Sequence, residues 1–335
     1  MKCNNNVLQD TPTRHVILKS IAAEIGIRSM SDDALWKHHD VLMAKYRKLV
    51  KDGGPLPERH GTTPSLLDVK IELASRMMNS CHFCERRCGV NRHEKPGACG
   101  VDVVSHVSSE FLHMGEEPDL IPSHTIFFEG CNFTCSYCQN WSIARQIRGP
   151  VADPGRLAKQ IEWRHRQGSA NVNFVGGEPT PHLNTILRIV KAMDADLPVI
   201  WNSNMYMTHE AMKLLDGAVD LYLADFRYGD DEHARCYSSI DNYWQVITRN
   251  FMEAKRQSEI LVRLLVLPGH IDCCTRPIIE WCAGNLGHDV RFNLMFQYHP
   301  EYQASRYPEI NRPLTGSEVI RAINLAKKAG LTNLV

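Results

Sequence analysis

Hydrophobic positions along this chain change their period twice. Over residues 14–51 apolar side chains recur three and four apart, with Ser31-Asp32-Asp33 a natural N-cap before the amphipathic run 34–50. Gly53-Gly54-Pro55 and Pro57 break that pattern, and a further helix is expected over 64–78. Residues 79–100 are polar and rich in cysteine and glycine, and such a segment has no core of its own without a crosslink or a metal. From residue 122 short apolar runs alternate with helical stretches. The runs 125–128, 171–175, 199–201, 219–224, 260–267 and 290–296 are predicted strands. Helices are predicted over 154–168, 181–194, 208–216, 242–257, 275–286 and 315–329. Alternation at this pitch implies βαβ units and a parallel sheet. Six units fall short of the eight of a closed barrel. The expected fold is therefore α/β: a partial, open (β/α)6 barrel over 122–335, preceded by a helical N-terminal extension, 1–78, and a small Cys-rich metal-binding segment, 79–121.

Composition narrows the function classes. The 335 residues are 43% hydrophobic, enough for a sizeable core, and the 38 acidic and 38 basic side chains cancel. Such balance gives no global field for nucleic acid or an anionic membrane, so neither is expected as a partner. No apolar run approaches the length of a membrane span, and the N-terminus lacks the apolar stretch of a secretory signal. Of twelve cysteines, seven fall in two tight groups between Cys81 and Cys138, a spacing that suits metal ligation better than disulfides. A cytoplasmic protein with metal-bound thiols is the expectation.

The second group, Cys131, Cys135 and Cys138, has the spacing C-x3-C-x2-C directly after the first predicted strand of the alternating region. Three thiolates on one loop can ligate three irons of a cubane and leave the fourth open. A loop leaving the C-terminal end of a parallel strand is also where such folds gather their active sites. By spacing alone a three-cysteine zinc site or free buried thiols also fit. A second signal follows the next strand: Gly176-Gly177-Glu178-Pro179, some 40 residues on. Glycines allow close backbone approach and a carboxylate can accept from an ammonium, although alone the tetrapeptide also reads as a turn.

Together these motifs resemble the radical S-adenosylmethionine superfamily, whose cysteine signature has an aromatic residue where Tyr137 stands. The resemblance implies a radical-SAM barrel holding a [4Fe-4S] cluster on Cys131, Cys135 and Cys138, with S-adenosyl-L-methionine chelating the open iron. It implies reductive cleavage of that cofactor to methionine and a 5′-deoxyadenosyl radical, with Gly176, Gly177 and Glu178 at its methionyl amino group. At a finer level residues 122–335 resemble the activating enzymes of glycyl-radical enzymes, typified by pyruvate formate-lyase activating enzyme. Strand ends that read Asp-Thr-Asn-Gly and Asp-Leu-Lys in that family read Asn202-Ser203-Asn204-Met205 and Asp225-Phe226-Arg227 here. Asn202, Ser203, Asp225 and Arg227 are thereby expected beside the cofactor. Asn202 loses one family carboxylate, which puts a monovalent-cation site and details of peptide contact in doubt. Leu267-Pro268-Gly269 and Tyr298-His299-Pro300 match family turns. His270 and His299 could line the mouth, although lone histidines are more often structural.

The upstream group, Cys81, Cys84, Cys88 and Cys99, reads C-x2-C-x3-C-x10-C. Four thiolates in this span can close a zinc site or hold a second [4Fe-4S] cluster, and Arg86, Arg87 and Arg92 would offset their charge. It resembles a branch of relatives of the activating enzymes whose reaction the resemblance does not fix. Cys3, Cys236, Cys273, Cys274 and Cys282 show no ligand spacing, and only the adjacent pair Cys273-Cys274 invites a redox check.

The function expected is a radical S-adenosylmethionine oxidoreductase of the glycyl-radical activating type, abstracting hydrogen from a glycine of a partner protein. A one-electron donor of flavodoxin or ferredoxin type is the other partner. The resemblance implies no general base, so no catalytic acid or base residue is assigned. Radical chemistry on another peptide or a small molecule is the first alternative, and a metal-stapled, non-enzymatic binding module the second.

Overall fold

The computed structural model describes residues 12–53, 55–57 and 63–335. Cys3 and Gly54 lie outside these described residues. Three helices come first: α1 (Arg14–Ser20), α2 (Asp32–Asp52) and α3 (Leu66–Met77). Ser31 caps α2 by accepting from the Ala34 N–H, and Gly53 ends it with a left-handed φ of 62°. Leu18, Leu35, Leu42, Tyr46, Leu67 and Leu73 turn the apolar faces of these helices into the same hydrophobic cluster as the sheet. The extension is thus packed onto the barrel, because three short helices cannot bury their apolar stripes alone.

Seven strands follow: β1 (Val107–His113), β2 (Ser123–Phe128), β3 (Asn171–Gly176), β4 (Val199–Ser203), β5 (Leu221–Asp225), β6 (Glu259–Leu265) and β7 (Arg291–Met295). They lie side by side in chain order, with β1 antiparallel to β2 and all other neighbours parallel. β1 and β7 are the two edges of an open sheet, so the fold is the expected partial α/β barrel. All six predicted strands are present. β1 was not predicted, because an edge strand covered on one face carries the polar sequence VSSEFLH. At the other edge, Val335 N–H bonds to the Phe292 carbonyl of β7 at 3.1 Å.

Around the sheet run α4 (Trp141–Arg145), α5 (Pro154–Arg166), α6 (Leu183–Ala192), α7 (His209–Leu215), α8 (Asp231–Ser238), α9 (Tyr243–Gln257), α10 (Arg276–Asn285) and α11 (Gly316–Lys328). Short α4 and polar α8 were not predicted. Alternation along the strands separates two environments. Trp201, Tyr222, Ala224, Val262 and Leu264 join the cluster beneath the helices. Ile200, Leu221, Leu223 and Leu261, on the opposite face, form a second cluster with Leu120 from the β1–β2 connection. That connection closes the floor of the curled sheet, and the strands' C-terminal ends form the mouth.

Candidate functional site

Cys131, Cys135 and Cys138 sit on the loop between β2 and α4, and backbone bonds fix it from several sides. Gly130 N–H donates to the Ile143 carbonyl (2.8 Å), Cys131 N–H to Cys99 (3.2 Å), Thr134 N–H to Ser238 (3.1 Å) and Ser136 N–H to Tyr237 (2.7 Å). The glycines of the second motif serve this packing. Gly176 pairs with Phe128, and a Cβ there would stand 2.0 Å from the Phe128 carbonyl oxygen. A Cβ on Gly177 would stand 2.3 Å from the Gly130 oxygen. Any side chain would push the end of β3 off the cysteine loop.

Glu178 is buried, and its carboxylate is fully engaged. It accepts from Thr180 Oγ1 (2.6 Å), Ser203 Oγ (2.6 Å) and the Asn204 N–H (2.9 Å), tying the end of β3 to the end of β4. Burial raises its pKa despite these donors. Burial, with the Glu178 charge next, holds the Cys131 thiol well above its ordinary value, and burial pushes Cys138 up to about 11. Such thiols lose their protons to bound iron rather than in free form.

Arg227 lies half-buried beside them. Its Nη2 bonds to Asp225 Oδ2 at 2.5 Å, and its raised pKa reflects Asp225 and Cys135 working against burial. Arg227 Nε and Ser136 Oγ are buried with no hydrogen-bond partner. Unmet polar atoms beside a loop of three thiols fit a negatively charged cluster and a polar cofactor, and the residues present suit that group. Tyr137 is placed differently from an exposed cofactor contact. It is buried, its hydroxyl donates to Tyr228 (2.8 Å), and its ring packs edge-on against Tyr228, Tyr237 and Tyr298. Tyr228 in turn meets Ser238 Oγ (2.5 Å), which donates to Cys135 Sγ (2.9 Å). Because Ser238 spends its proton on Cys135, all three hydroxyl protons run one way toward the sulfur.

Below the mouth lies a polar layer that sequence reading missed. Arg263 of β6 donates from Nε to Asp225 (3.0 Å) and from Nη2 to Asn202 (2.6 Å), and pairs with Glu116 at 3.4 Å. Asn173 bonds to Glu116 (3.1 Å) and Asn293 to Glu117 (2.9 Å). An arginine inside the apolar strand EILVRLL was the available signal, since an isolated charge on a buried strand demands partners. Asn173 Oδ1 and Glu117 Oε2 remain buried without donors.

The upstream cysteines adjoin this site through the Cys131–Cys99 bond. Of the three arginines named above, only Arg92 touches sulfur: Nε reaches Cys81 Sγ at 3.1 Å and Nη2 reaches Cys99 Sγ at 3.4 Å. Arg86 instead bonds to the Asn132 and Ser239 carbonyls, and Arg87 pairs with Glu85 and Glu210. Burial raises Cys81 and carries Cys84 up to about 12. Burial also acts to raise Cys88, yet the Ala98 and Val90 N–H groups and Arg92 bring it below its ordinary value. His270 is buried, whereas His299 is exposed and faces Gln139 (3.2 Å). Among the described residues no helix is long and apolar enough to cross a membrane.

Comparison with known proteins gives the following. Residues 125–282 match the model of the Radical SAM superfamily. An uncharacterised protein of Methanocaldococcus jannaschii, MJ0674, is 43% identical over 327 residues, which cover 96% of this chain and 94% of that one. An anaerobic magnesium-protoporphyrin IX monomethyl ester cyclase of Rubrivivax gelatinosus is 31% identical over 84 residues, 24% of this chain and 15% of that one. Among solved structures, SuiB of Streptococcus suis bound to its precursor peptide SuiA aligns with a TM-score of 0.46 at 10% identity, covering 86% of this chain and 59% of that one. This chain thus spans less than two thirds of SuiB. Methylornithine synthase aligns with a TM-score of 0.44 at 14% identity, covering 64% and 70%. With three cysteines at the end of β2, Gly-Gly-Glu at the end of β3 and an open parallel barrel beneath them, this chain belongs to the radical SAM superfamily.

Proposed function

We propose that this chain is a radical S-adenosylmethionine enzyme acting on a polar substrate, a peptide segment or a small molecule bearing N–H or O–H donors, admitted through the mouth of the barrel. The observation that carries the reading is the pair of donor-free acceptors under the mouth, Asn173 Oδ1 and Glu117 Oε2. Buried acceptors without donors are costly, so a ligand that supplies donors gains there. The superfamily implies a [4Fe-4S] cluster and S-adenosylmethionine; when bound, they supply a 5′-deoxyadenosyl radical for hydrogen abstraction, driven by an external one-electron donor of flavodoxin or ferredoxin type. In this reading Cys131, Cys135 and Cys138 bind iron, while Arg227 and Asp225 border the cofactor. Glu178 fixes the Ser203 and Asn204 turn beside it, and Arg263 holds the lumen layer in register.

Hydrogen abstraction from a glycine of a partner protein is the more specific form, supported by the resemblance at Asp225 and at the 267–269 turn and weakened by Asn202. A metal of its own on Cys81, Cys84, Cys88 and Cys99 is favoured by Arg92 bridging two of those sulfurs. Metal content and cofactor cleavage test the whole reading on anaerobically reconstituted protein with dithionite. About eight irons would mean two cubanes, and about four irons plus one zinc a structural upstream site. 5′-Deoxyadenosine forming with a glycyl EPR doublet on a candidate protein supports the glycine version. Cleavage without the doublet supports the peptide or small-molecule version, and failure to bind S-adenosylmethionine overturns both.

A further inference from the structure

Away from the cysteine loop, His233 of α8, His270 after β6 and Cys273 bring one ligand atom each within 4.8 Å of one another. They are the only such set of three among the described residues, although sequence spacing gave Cys273 no ligand partner.

Each imidazole is held by its Nδ1. His233 Nδ1 lies 2.8 Å from both oxygens of Asp230, and His270 Nδ1 lies 2.6 Å from the Pro268 carbonyl. A carbonyl only accepts, and an ionised carboxylate does too, so each Nδ1 carries a proton and, in the neutral ring, Nε2 keeps its lone pair. Tyr237 Oη, 2.9 Å from His270 Nε2, has one proton, and its shorter contact is to Glu309 Oε1 at 2.6 Å. That one proton serves either His270 Nε2 or Glu309 Oε1, so an ion that takes Nε2 leaves Tyr237 its bond to Glu309. The rings stand perpendicular with centroids 5.0 Å apart. Two imidazoles binding one tetrahedral ion by Nε2 have centroids roughly 5 Å apart, given Zn–N of about 2.0–2.1 Å.

The backbone delivers the sulfur. Residues Ile271–Thr275 form a π-helical turn leading into α10, a local widening that recurs at functional sites. Gly229 lets the turn approach α8, since a Cβ there would stand 2.2 Å from the Cys273 carbonyl oxygen.

We propose that His233 Nε2, His270 Nε2 and Cys273 Sγ form a mononuclear site for a zinc-type divalent ion, with water in the fourth position. Asp230 and the Pro268 carbonyl are its outer partners, the arrangement that orients metal-bound histidines. Binding displaces the Cys273 thiol proton to solvent and replaces the His270–Tyr237 contact, while Tyr237 keeps Glu309. The ion joins α8 to the β6–α10 turn, and α8 also carries Ser238 against Cys135.

Zinc content of the full reconstituted chain, measured after zinc incubation and desalting, tests this. The unsubstituted protein is expected to hold one zinc equivalent more than His233→Ala or Cys273→Ser, while Cys236→Ser, an exposed control, loses none. Asp230→Asn keeps all three ligands and is expected to weaken zinc binding about 10- to 100-fold at unchanged iron content. X-ray absorption at the zinc edge is compared between the unsubstituted protein and Cys273→Ser, so that any zinc on Cys81, Cys84, Cys88 and Cys99 cancels. The difference is expected to show one sulfur at about 2.3 Å and two imidazole nitrogens at about 2.0 Å. Equal zinc in parent and variants, or a difference shell of sulfur alone, overturns the site.

Discussion

The two cysteine groups of this chain touch at one backbone hydrogen bond, from Cys131 to Cys99, yet they are held by different means. Cys131, Cys135 and Cys138 hang from the end of β2, and Gly176 and Gly177 let the end of β3 pack against that loop. Cys81, Cys84, Cys88 and Cys99 lie on a stretch with no strand or long helix of its own, gathered around the Arg92 guanidinium. A sheet-borne site keeps its shape from the fold, whereas a loop-borne site takes much of its shape from what it binds. In the proposed function, the iron and cofactor chemistry that needs a fixed open position is placed on the first.

The largest expected break in this comparison comes from Cys135→Ala against Cys84→Ala. The first should cut 5′-deoxyadenosine formation about 100-fold or more and abolish the S-adenosylmethionine-dependent change in the cluster EPR signal. The second should lose upstream metal while keeping that spectral response; its loss in both variants would mean the two groups act as one site.

Next is Glu178→Ala. It strands the Thr180, Ser203 and Asn204 donors in a buried site, and about 3 kcal/mol of stability should go, read by chemical denaturation. A change below about 0.5 kcal/mol would show that water replaces the carboxylate at little cost.

A region remote from both groups serves as the control. Asp220 accepts from the Arg14 N–H (3.0 Å) and the Val199 N–H (2.8 Å), and burial raises its pKa from 3.8 to about 6. The folded state therefore holds this proton more tightly than the unfolded chain. That contribution is full below about pH 4 and is lost as pH rises to about 6, on the order of 3 kcal/mol. Asp220→Asn should flatten this limb of the stability–pH curve and leave iron content alone; an unchanged limb assigns it to another group.

Ser238→Ala is the smallest and most local change. Hydrogen bonds to cluster sulfurs help set the potential, and removing the donor to Cys135 Sγ should lower the midpoint in an EPR redox titration. An unchanged midpoint would mean that Ser238 only packs.

Much of the barrel could be read from local pattern. Strands buried on both faces carry short apolar runs between turn signals, such as Val199–Trp201 in β4, and six of the seven were legible from such runs. β1 escaped because one open face leaves a strand polar. The cysteine loop and Gly-Gly-Glu were legible because their spacing is local. The use of the glycines was not: their missing side chains make room for neighbouring backbone, and only the folded chain shows what lies opposite.

The sequence by itself determined the α/β alternation, the two cysteine groups and the superfamily, all properties of short spans of chain. Tertiary structure alone decided the rest. It chose Arg92 over Arg86 and Arg87 as the cation at sulfur, and drew Arg263, Asp225, Asn202 and Glu116 into one lumen layer. It also aimed Ser238 at Cys135 and brought Cys273 to two histidines. Each of these contacts joins residues on different elements, and its existence depends on strand register and on which face of the sheet a side chain takes. Such facts follow from how segments pack against one another and leave no mark in local spacing.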